Sequence, residues 1–373
     1  MDPVTHLLTG ACIGRAGLNR RTAYATLAAV LAADAPDIDV LWGIAGPVAG
    51  FQHHRGITHT LIAAPVMALA VTGAVWLLRR GWSALPWVKS RQRMDQQPVN
   101  WLWIYLTALI ADLSHLLLDW TNNYGLRPFF PFNKHWYSGD FVFIAEPVIW
   151  GLLTAAMVFP WLLSLADTEV GARRVKFRGR GWAIFALSGM VVVWCWRWAE
   201  HAQARTLVEN AALTSAPVRR IAVEPYPANP YRWHALVETD AAWQTAEVDT
   251  FRGTVASDEK IDSIEKPPST PAIEIARRSE LGQVYLDWAQ WPLVRDVGRV
   301  HAPGSPGLAL APPQMWTTVQ FSDLRFAYSY LNFGGTGGNS LGYELARSPL
   351  TGWVYVVDGR EEAGEFLDGR EQK

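Results

Sequence analysis

The chain has 373 residues, enough for two domains, and it carries 20 tryptophans but only 18% charged residues. This composition is unusual for a soluble protein and indicates a membrane protein. A formal net charge of −1 provides no basic field, so we expect no nucleic-acid partner. The two cysteines lie far apart in apolar sequence, so we expect no disulfide framework. We also expect no removable signal peptide, because no basic segment precedes the first apolar stretch.

Long apolar stretches predict an all-α, multi-spanning membrane domain over residues 1–200. A helix needs about 17 to 25 residues to cross the hydrocarbon of a bilayer. Four stretches clearly reach that length. Two weaker stretches precede them, of which the first is short and the second carries three aspartates near its end. We therefore predict about six spanning helices, at residues 4–18, 22–42, 58–78, 101–120, 147–166 and 182–199.

Lys and Arg are concentrated in every second connection between these stretches. They cluster at residues 15–21, 79–93 and 173–180, whereas residues 43–57 and 121–146 hold few. Cytoplasmic connections carry the excess of basic residues. We therefore predict that the N-terminus and the region after residue 200 lie outside the cytoplasm.

Asp and His residues recur inside the apolar stretches, where ionisable groups are costly and mark functional sites. When the six helices are threaded alternately, the whole set falls on the outer membrane face, so we expect one site there. Imidazoles and carboxylates together suit zinc, with manganese or non-haem iron as alternatives. The set comprises His6, Asp34, Asp37, Asp39, His53, His54, His59, Asp112, His115 and Asp119.

The sequence ADLSHLLLDW places Asp112, His115 and Asp119 three and four residues apart. At that spacing all three side chains project from one stripe of a helix. Helical metal sites use such a stripe and take their remaining ligands from neighbouring helices. The alternative is a polar stripe that only pairs between helices. We favour the metal site, and we assign Asp112 a catalytic role as well as a ligand role.

The sequence QHHRGITHT, residues 52–60, supplies His54 and His59 as further ligands, while His53 ranks below them as a loop residue. Arg55 stands between the two histidines. Its planar guanidinium can bind a phosphate or carboxylate through two hydrogen bonds, which suggests a catalytic role in holding the substrate. The alternative, about equally favoured, is a salt bridge to Asp37 or Asp39.

The sequence DAPDID places Pro36 where it ends a helix, followed by Asp37 and Asp39 on the exposed turn. We predict that these carboxylates either bind the metal or orient the imidazoles that do. Taken alone, the motif also fits an ordinary turn, with Asp34 as a capping or solvated group.

Residues 201–373 have a different character and predict a small extracytoplasmic α+β domain. Strand-like alternation begins at residues 231 and 246, with a turn around Asp240. We expect an amphipathic helix at 272–288 and strands at 317–328 and 353–358. The glycine-rich segment 333–340 lacks the flanking order of a phosphate-binding loop and predicts a flexible turn. His234 and His301 are expected to be surface or core residues.

Five sequence features carry a resemblance to a known family. They are Thr5-His6, PDID at 36–39, HRGITHT at 54–60, DLSHLLLD at 112–119 and TNNYGLRPFFPF at 121–132. Together they resemble the YdjM-type family of membrane-bound metal-dependent hydrolases, also described as LexA-binding inner-membrane hydrolases. The resemblance covers about residues 1–200 and implies a multi-spanning bacterial inner-membrane protein with a divalent-metal site. Its polar positions match His6, Asp37, Asp39, His54, His59, Asp112, His115 and Asp119, and it adds Asp140 and Glu146 as implied ligands.

Two functional hypotheses follow. The first is a metal-dependent hydrolase at the outer face of the inner membrane, whose metal activates water against a phosphoester or other ester of a lipid or envelope precursor. The second is a non-catalytic membrane protein, either a metal-binding sensor or an assembly partner. An open coordination position, and turnover that is lost when a ligand is replaced, would distinguish them.

Overall fold

The computed structural model describes residues 1–84, 97–169, 179–256, 262–302, 315–327, 350–358 and 361–372. The predicted glycine-rich turn at 333–340 lies outside these residues. The chain divides into two compact units. The first unit contains Met1–Asp39 and Arg55–Ala199, and the second contains Val40–His54 and Glu200–Lys373.

Two helices of the N-terminal half begin at a side-chain cap. Asp2 accepts a hydrogen bond from the Thr5 amide at the first helix, which has Pro3 at its first position. Asn100 caps the fifth helix in the same way, through the Trp103 amide. In chain order the helices are α1 Pro3–Arg15, α2 Ala25–Ala33, α3 Pro47–His53, α4 Ala64–Ala84, α5 Trp101–Thr121, α6 Pro147–Glu169 and α7 Arg180–Ala211.

Within the described residues, three helices are long and apolar enough to cross a membrane: α5, α6 over Pro147–Asp167, and α7. The number rises to four if the bent pair Pro47–His59 and Ala64–Gly81 forms one span. The 13 residues of α1 and 9 of α2 give lengths of about 20 and 14 Å, short of the roughly 30 Å hydrocarbon core. The count of six spans therefore stays a prediction.

Small residues bring α2 close to its neighbours in the first unit. Ala29 and Ala32 are fully buried in a cluster that also contains Ala108 and Ala111 of α5. A Cβ added at Gly10 of α1 would lie 2.5 Å from the Ala29 carbonyl oxygen. In a membrane the hydrophobic effect does not drive helices together, because lipid tails are as apolar as the helix surfaces. Small residues at the interface let the helix backbones approach closely and pack against each other. This packing places the end of α2 beside the polar stripe of α5.

The second unit contains two five-stranded antiparallel sheets. The β-rich character predicted for the C-terminal part is confirmed, with strands after residue 231 and at 353–357. Two predicted bounds are wrong: the strand expected from residue 246 begins at Ala242 and ends at Asp249, and the strand expected at 317–328 ends at Asp323, where a 3-10 turn follows. In chain order the strands are β1 Arg220–Pro225, β2 Arg232–Glu238, β3 Ala242–Asp249, β4 Thr254–Val255, β5 Asp262–Glu265, β6 Pro292–Asp296, β7 Trp316–Asp323, β8 Gly352–Val357, β9 Glu361–Leu367 and β10 Arg370–Glu371.

The single helix predicted at 272–288 is wrong, because the structure has two helices there. They are α8 Pro271–Arg278 and α9 Glu280–Trp288. Ser279 separates them in an extended conformation, with ψ of 163°, and its side chain accepts a hydrogen bond from the Gly282 amide. Serine satisfies a free helix N–H better as a cap than in a helix interior, so the chain breaks there.

The segment Val40–His54 folds with the second unit although it lies between two of the motifs. The Phe51 ring of α3 lies 5.9 Å from Tyr285 and 5.0 Å from Trp288 of α9, measured between centroids. The Gln372 side chain accepts a hydrogen bond of 2.9 Å from the Val48 amide. Aromatic packing and the capping of a helix N–H therefore fix α3 in this unit.

Candidate metal centre

The polar stripe of α5 is buried. Asp112, His115 and Asp119 are at most 1% exposed. His115 Nδ1 lies 2.7 Å from the Ala33 carbonyl oxygen at the end of α2. A carbonyl oxygen only accepts hydrogen bonds, so this contact assigns the proton to Nδ1 and leaves the lone pair on Nε2. His115 therefore presents a ligand atom to the interior of the first unit.

His59 is oriented by the same principle. Its Nδ1 lies 3.1 Å from Asp39 Oδ2 and 3.1 Å from the Thr58 hydroxyl. The carboxylate accepts the Nδ1 proton, so Nε2 is again the atom left to bind a cation. A carboxylate behind the far nitrogen of a metal-binding histidine is a common arrangement in metalloproteins. Of the two roles predicted for Asp39, the geometry favours orientation of an imidazole.

Four ligand atoms converge in front of these two rings. His59 Nε2 lies 3.1 Å from His115 Nε2 and 3.2 Å from Asp37 Oδ1. Asp119 Oδ2 lies 3.5 Å from His59 Nε2 and 3.4 Å from His115 Nε2. His115 Nε2 and Asp37 Oδ1 are 3.6 Å apart. We call Asp37, His59, His115 and Asp119 the quartet.

The quartet fits a divalent cation. A tetrahedral site with metal–ligand distances of about 2.0–2.2 Å separates its ligand atoms by roughly 3.3–3.6 Å, close to the five separations given above. Two neutral imidazoles with two carboxylates are a donor set that zinc accepts. Asp119 Oδ2 is buried and has no hydrogen-bond donor among the described residues. A cation at this point would satisfy that oxygen.

His6 of α1 lies beside the quartet. Its ring stacks on His115 with centroids 3.7 Å apart, and its Nε2 is 3.3 Å from Asp119 Oδ1. His6, Asp37 and His115 form a second group whose ligand atoms lie within 4.8 Å of one another. The amino group of Met1 contacts Asp119 and His6. Asp119 Oδ1, the carboxylate oxygen that does not face the two histidines of the quartet, therefore lies against the nitrogen atoms of Met1 and His6.

Arg55 is buried and holds the end of α5. Its Nη2 donates to Asp119 Oδ1 at 2.9 Å, and its Nη1 donates to the Gly125 carbonyl at 2.8 Å and to Asn122 Oδ1 at 3.2 Å. The guanidinium also lies over the Tyr124 ring, 4.7 Å from its centroid. Its backbone amide donates to Asp39 Oδ2 at 2.8 Å. These contacts favour a scaffold role, with Asp119 as the ion-pair partner.

Four other predicted ligands are not members of the quartet. Asp112 is fully buried, and neither of its carboxylate oxygens has a hydrogen-bond partner among the described residues. Glu146 is buried with Oε2 3.9 Å from Arg197 Nε of α7. Asp140 occupies a left-handed turn with φ of 57°. His54 is the C-cap of α3 in the second unit. Ligand roles for these four residues stay predictions.

Two contributors were not anticipated from the sequence. Asn122 is fully buried and accepts hydrogen bonds from both Arg55 Nη1 and the Tyr124 amide. The Ala33 carbonyl fixes the His115 tautomer. The sequence TNNYG directly after the stripe was a signal for Asn122, because two adjacent amides follow an apolar helix. A backbone carbonyl leaves no signal in a sequence.

A family model matches the N-terminal part of the chain. A family model described as "YdjM inner membrane protein" matches residues 1–204. An uncharacterized protein of Bacillus subtilis (strain 168), YfhP, is 25% identical over 157 residues, which cover 40% of this chain and 43% of the relative. The chain thus spans less than half of that relative's length. No solved structure matches significantly.

Proposed function

Because the family model covers more than half of its length, this chain belongs to the YdjM inner membrane protein family, and on that premise we propose that it is a metal-dependent hydrolase of the bacterial inner membrane. The observation that carries the proposal is the quartet. Its two imidazoles have their proton-bearing nitrogens directed at Asp39 and Ala33. Both remaining nitrogens face the carboxylates of Asp37 and Asp119, as zinc ligands must.

The surrounding residues prepare this geometry before any ligand binds. Asp39 orients His59, the α2 terminus orients His115, and Arg55 holds Asp119 through one carboxylate oxygen while the other faces the histidines. A bound divalent ion supplies Lewis-acid activation of water for attack on an ester or phosphoester. Asp112 lies one helical turn before His115, and neither of its carboxylate oxygens has a hydrogen-bond partner in the part of the chain that the structure describes. We propose that it serves as a further ligand or as the group that accepts the proton.

The substrate class follows from the setting of the site. Its residues lie in or beside apolar helices of a membrane protein, so an ester or phosphoester of a lipid or envelope precursor fits better than a soluble metabolite. We propose that the site lies at the outer face and that the C-terminal part is extracytoplasmic, on the distribution of basic residues.

One observation favours a non-catalytic sensor instead. Structural zinc sites use four protein ligands, whereas catalytic sites use three and leave a position for water. The quartet has four candidate ligands, and three of them are almost completely buried. Asp37, whose side chain is 22% exposed, is the member whose position water or substrate would take in a hydrolase.

The experiment is a metal analysis of detergent-purified protein. His115→Ala should lower the affinity for Zn²⁺ by more than about tenfold, since it removes a direct ligand. His135→Ala is the matched control, because His135 is exposed and lies outside the quartet. Equal metal affinity in wild type and His115→Ala would disprove the metal centre.

Activity then separates enzyme from sensor. Metal-loaded wild type should hydrolyse at least one of a panel of phospholipids, isoprenoid phosphates and other phosphoesters, and His115→Ala should not. A fully loaded protein that is inactive on the whole panel would favour the sensor.

A further inference from the structure

We propose that a cavity beside Asp37 holds the hydrocarbon chain of the substrate, so that a membrane amphiphile reaches the metal centre sideways from the bilayer. The inference rests on the proposed function and narrows its substrate class. It begins from the burial of the quartet. His59, His115 and Asp119 are at most 1% exposed, whereas the Asp37 side chain is 22% exposed. Among these four residues, Asp37 is therefore the one that an incoming molecule meets first.

Asp37 forms part of the wall of a cavity of about 430 Å³ in the first unit. This volume lies within the range of about 300–1,000 Å³ that is usual for small-molecule sites. Asp34 and Asp37 contribute the polar part of its lining, and the other lining residues are apolar, including Met67, Ala70 and Ala74 of α4. An apolar pocket with a few polar groups in its wall matches an amphiphile in polarity.

The α4 wall faces outward. Ala70 and Ala74 are exposed, and they lie four residues apart on one face of the helix. The neighbouring Val66 and Leu69 are 65% and 63% exposed. The stretch Ala64–Gly81 belongs to the bent pair that is apolar enough to span a membrane, so these exposed side chains are suited to lipid. The small alanines leave room for a chain between this wall and the Asp34–Asp37 turn.

The two carboxylates in the cavity wall determine the orientation of the occupant. Asp34 Oδ1 is buried and has no hydrogen-bond partner among the described residues. A hydrocarbon chain placed there would leave that oxygen unsatisfied, which is unfavourable. The chain therefore lies along Met67, Ala70 and Ala74, and the ester end of the molecule lies at Asp37, where the quartet begins.

The test uses a phosphatidylcholine with a photoactivatable diazirine in its acyl chain, mixed into nanodiscs that contain the full-length protein. After irradiation, adducts are mapped by peptide mass spectrometry. Lipid-facing helices will be labelled in any case, so the informative peptide is the one that contains Asp34 and Asp37. We expect adducts on that peptide in the wild type.

Ala70→Trp fills the cavity and should reduce labelling of the Asp34–Asp37 peptide at least threefold. Leu69→Trp is the matched control, because it adds the same ring at a neighbouring lipid-facing position outside the cavity lining, and it should leave that labelling unchanged. Ala74→Leu is a milder second variant for the case in which Ala70→Trp does not fold. Absence of adducts on this peptide, or equal labelling in Ala70→Trp and Leu69→Trp, would overturn the proposal.

The readout needs neither bound metal nor turnover, so it separates the two proposals. If the protein is shown to bind no metal and the labelling persists, the lipid cavity is supported and the hydrolase proposal is disproved. If metal-loaded wild type gives no adduct on the Asp34–Asp37 peptide, the lipid-cavity proposal is disproved and the metal-centre proposal still stands.

Discussion

Arg55 illustrates how one buried side chain can hold a site together. Its guanidinium spans Asp119, Asn122 and the Gly125 carbonyl, and the planar fork reaches all three at once. A lysine ammonium carries the same charge but is a single point on a flexible stem. The two side chains therefore differ in reach while they agree in charge.

Arg55→Lys should consequently lower the free energy of unfolding by about 1–3 kcal/mol, and metal affinity should fall with it. Thermal unfolding in detergent and metal analysis measure the two effects. Arg79→Lys, at an exposed position of α4, should change stability by no more than about 0.5 kcal/mol. If Arg55→Lys loses only turnover while stability and metal content stay at wild-type values, Arg55 is the substrate clamp.

His234 provides a pH-dependent contribution to the stability of the second unit. Burial lowers the pKa of His234 to about 4, against 6.5 for the free side chain, although a hydrogen bond with the backbone of Leu324 opposes the shift. The folded state thus favours the neutral imidazole. Its contribution is complete above pH 6.5 and is lost as the pH falls towards 4, because the unfolded chain binds the proton more readily.

The expected loss between pH 7 and 4 is about 3 kcal/mol. It is measured as the difference in pH dependence between wild type and His234→Gln, which cannot titrate. His301→Gln is a control with the same chemistry at a second histidine of this unit. Identical slopes for wild type and His234→Gln would show that this imidazole does not titrate as its burial indicates.

The sequence predicted which side chains lie together better than it predicted their individual contacts. The three- and four-residue spacing placed His115 and Asp119 on one face, and both belong to the quartet. The contact between His59 and Asp39 depends on how the chain between these two residues folds back. The charge pattern placed Arg55 beside Asp37 or Asp39, whereas its guanidinium pairs with Asp119 on a helix distant in sequence.

Helix packing decides whether the candidate ligands meet. α1 and α2 approach closely at Gly10 and Gly14, where an added Cβ would lie 2.5 Å from the Ala29 oxygen and 2.6 Å from the Thr26 Cα. His6 lies one turn before Gly10 on the same face of α1. Any separation of the two helices therefore also moves His6 away from His115.

Gly10→Ala should lower the free energy of unfolding by about 1–3 kcal/mol through overpacking. Metal affinity should also fall, because His6 and the end of α2 are displaced. Gly73→Ala in α4 is the control. An added Cβ there meets nothing within 4 Å, so alanine should be neutral or stabilising by up to about 1 kcal/mol. Stability of Gly10→Ala equal to wild type would mean that the interface relaxes freely.

Element boundaries were the weakest part of the sequence prediction. Hydropathy counts apolar residues and does not detect that Gly17 at the end of α1, with φ of 159°, and the turn after it stop the first helix early. The break at Ser279 could have been predicted, since a serine followed by Glu280 is a typical helix start. Strands of the second unit were easier, because alternation marks them directly.

For the whole molecule, the division into two units could not be predicted from a linear sequence. The prediction separated residues 1–200 from 201–373, whereas the structure assigns Val40–His54 to the second unit. The hydrogen bond that holds this segment joins Val48 to Gln372, and no local sequence pattern predicts a contact between residues so far apart in the chain.

The orientation in the membrane, in contrast, can be predicted from only three helices. α5, α6 and α7 are apolar enough to span, and basic residues cluster before α5 and between α6 and α7. If these clusters are cytoplasmic, the third crossing brings the chain outside after α7, whatever α1 and α2 do.

A cysteine at Ser215 should therefore react with a membrane-impermeant maleimide in spheroplasts. A cysteine at Ser90 should react only after permeabilisation, and wild type, with Cys12 and Cys195, gives the background. The reverse pattern would place the C-terminal part in the cytoplasm and bring a cytosolic substrate or partner within its reach.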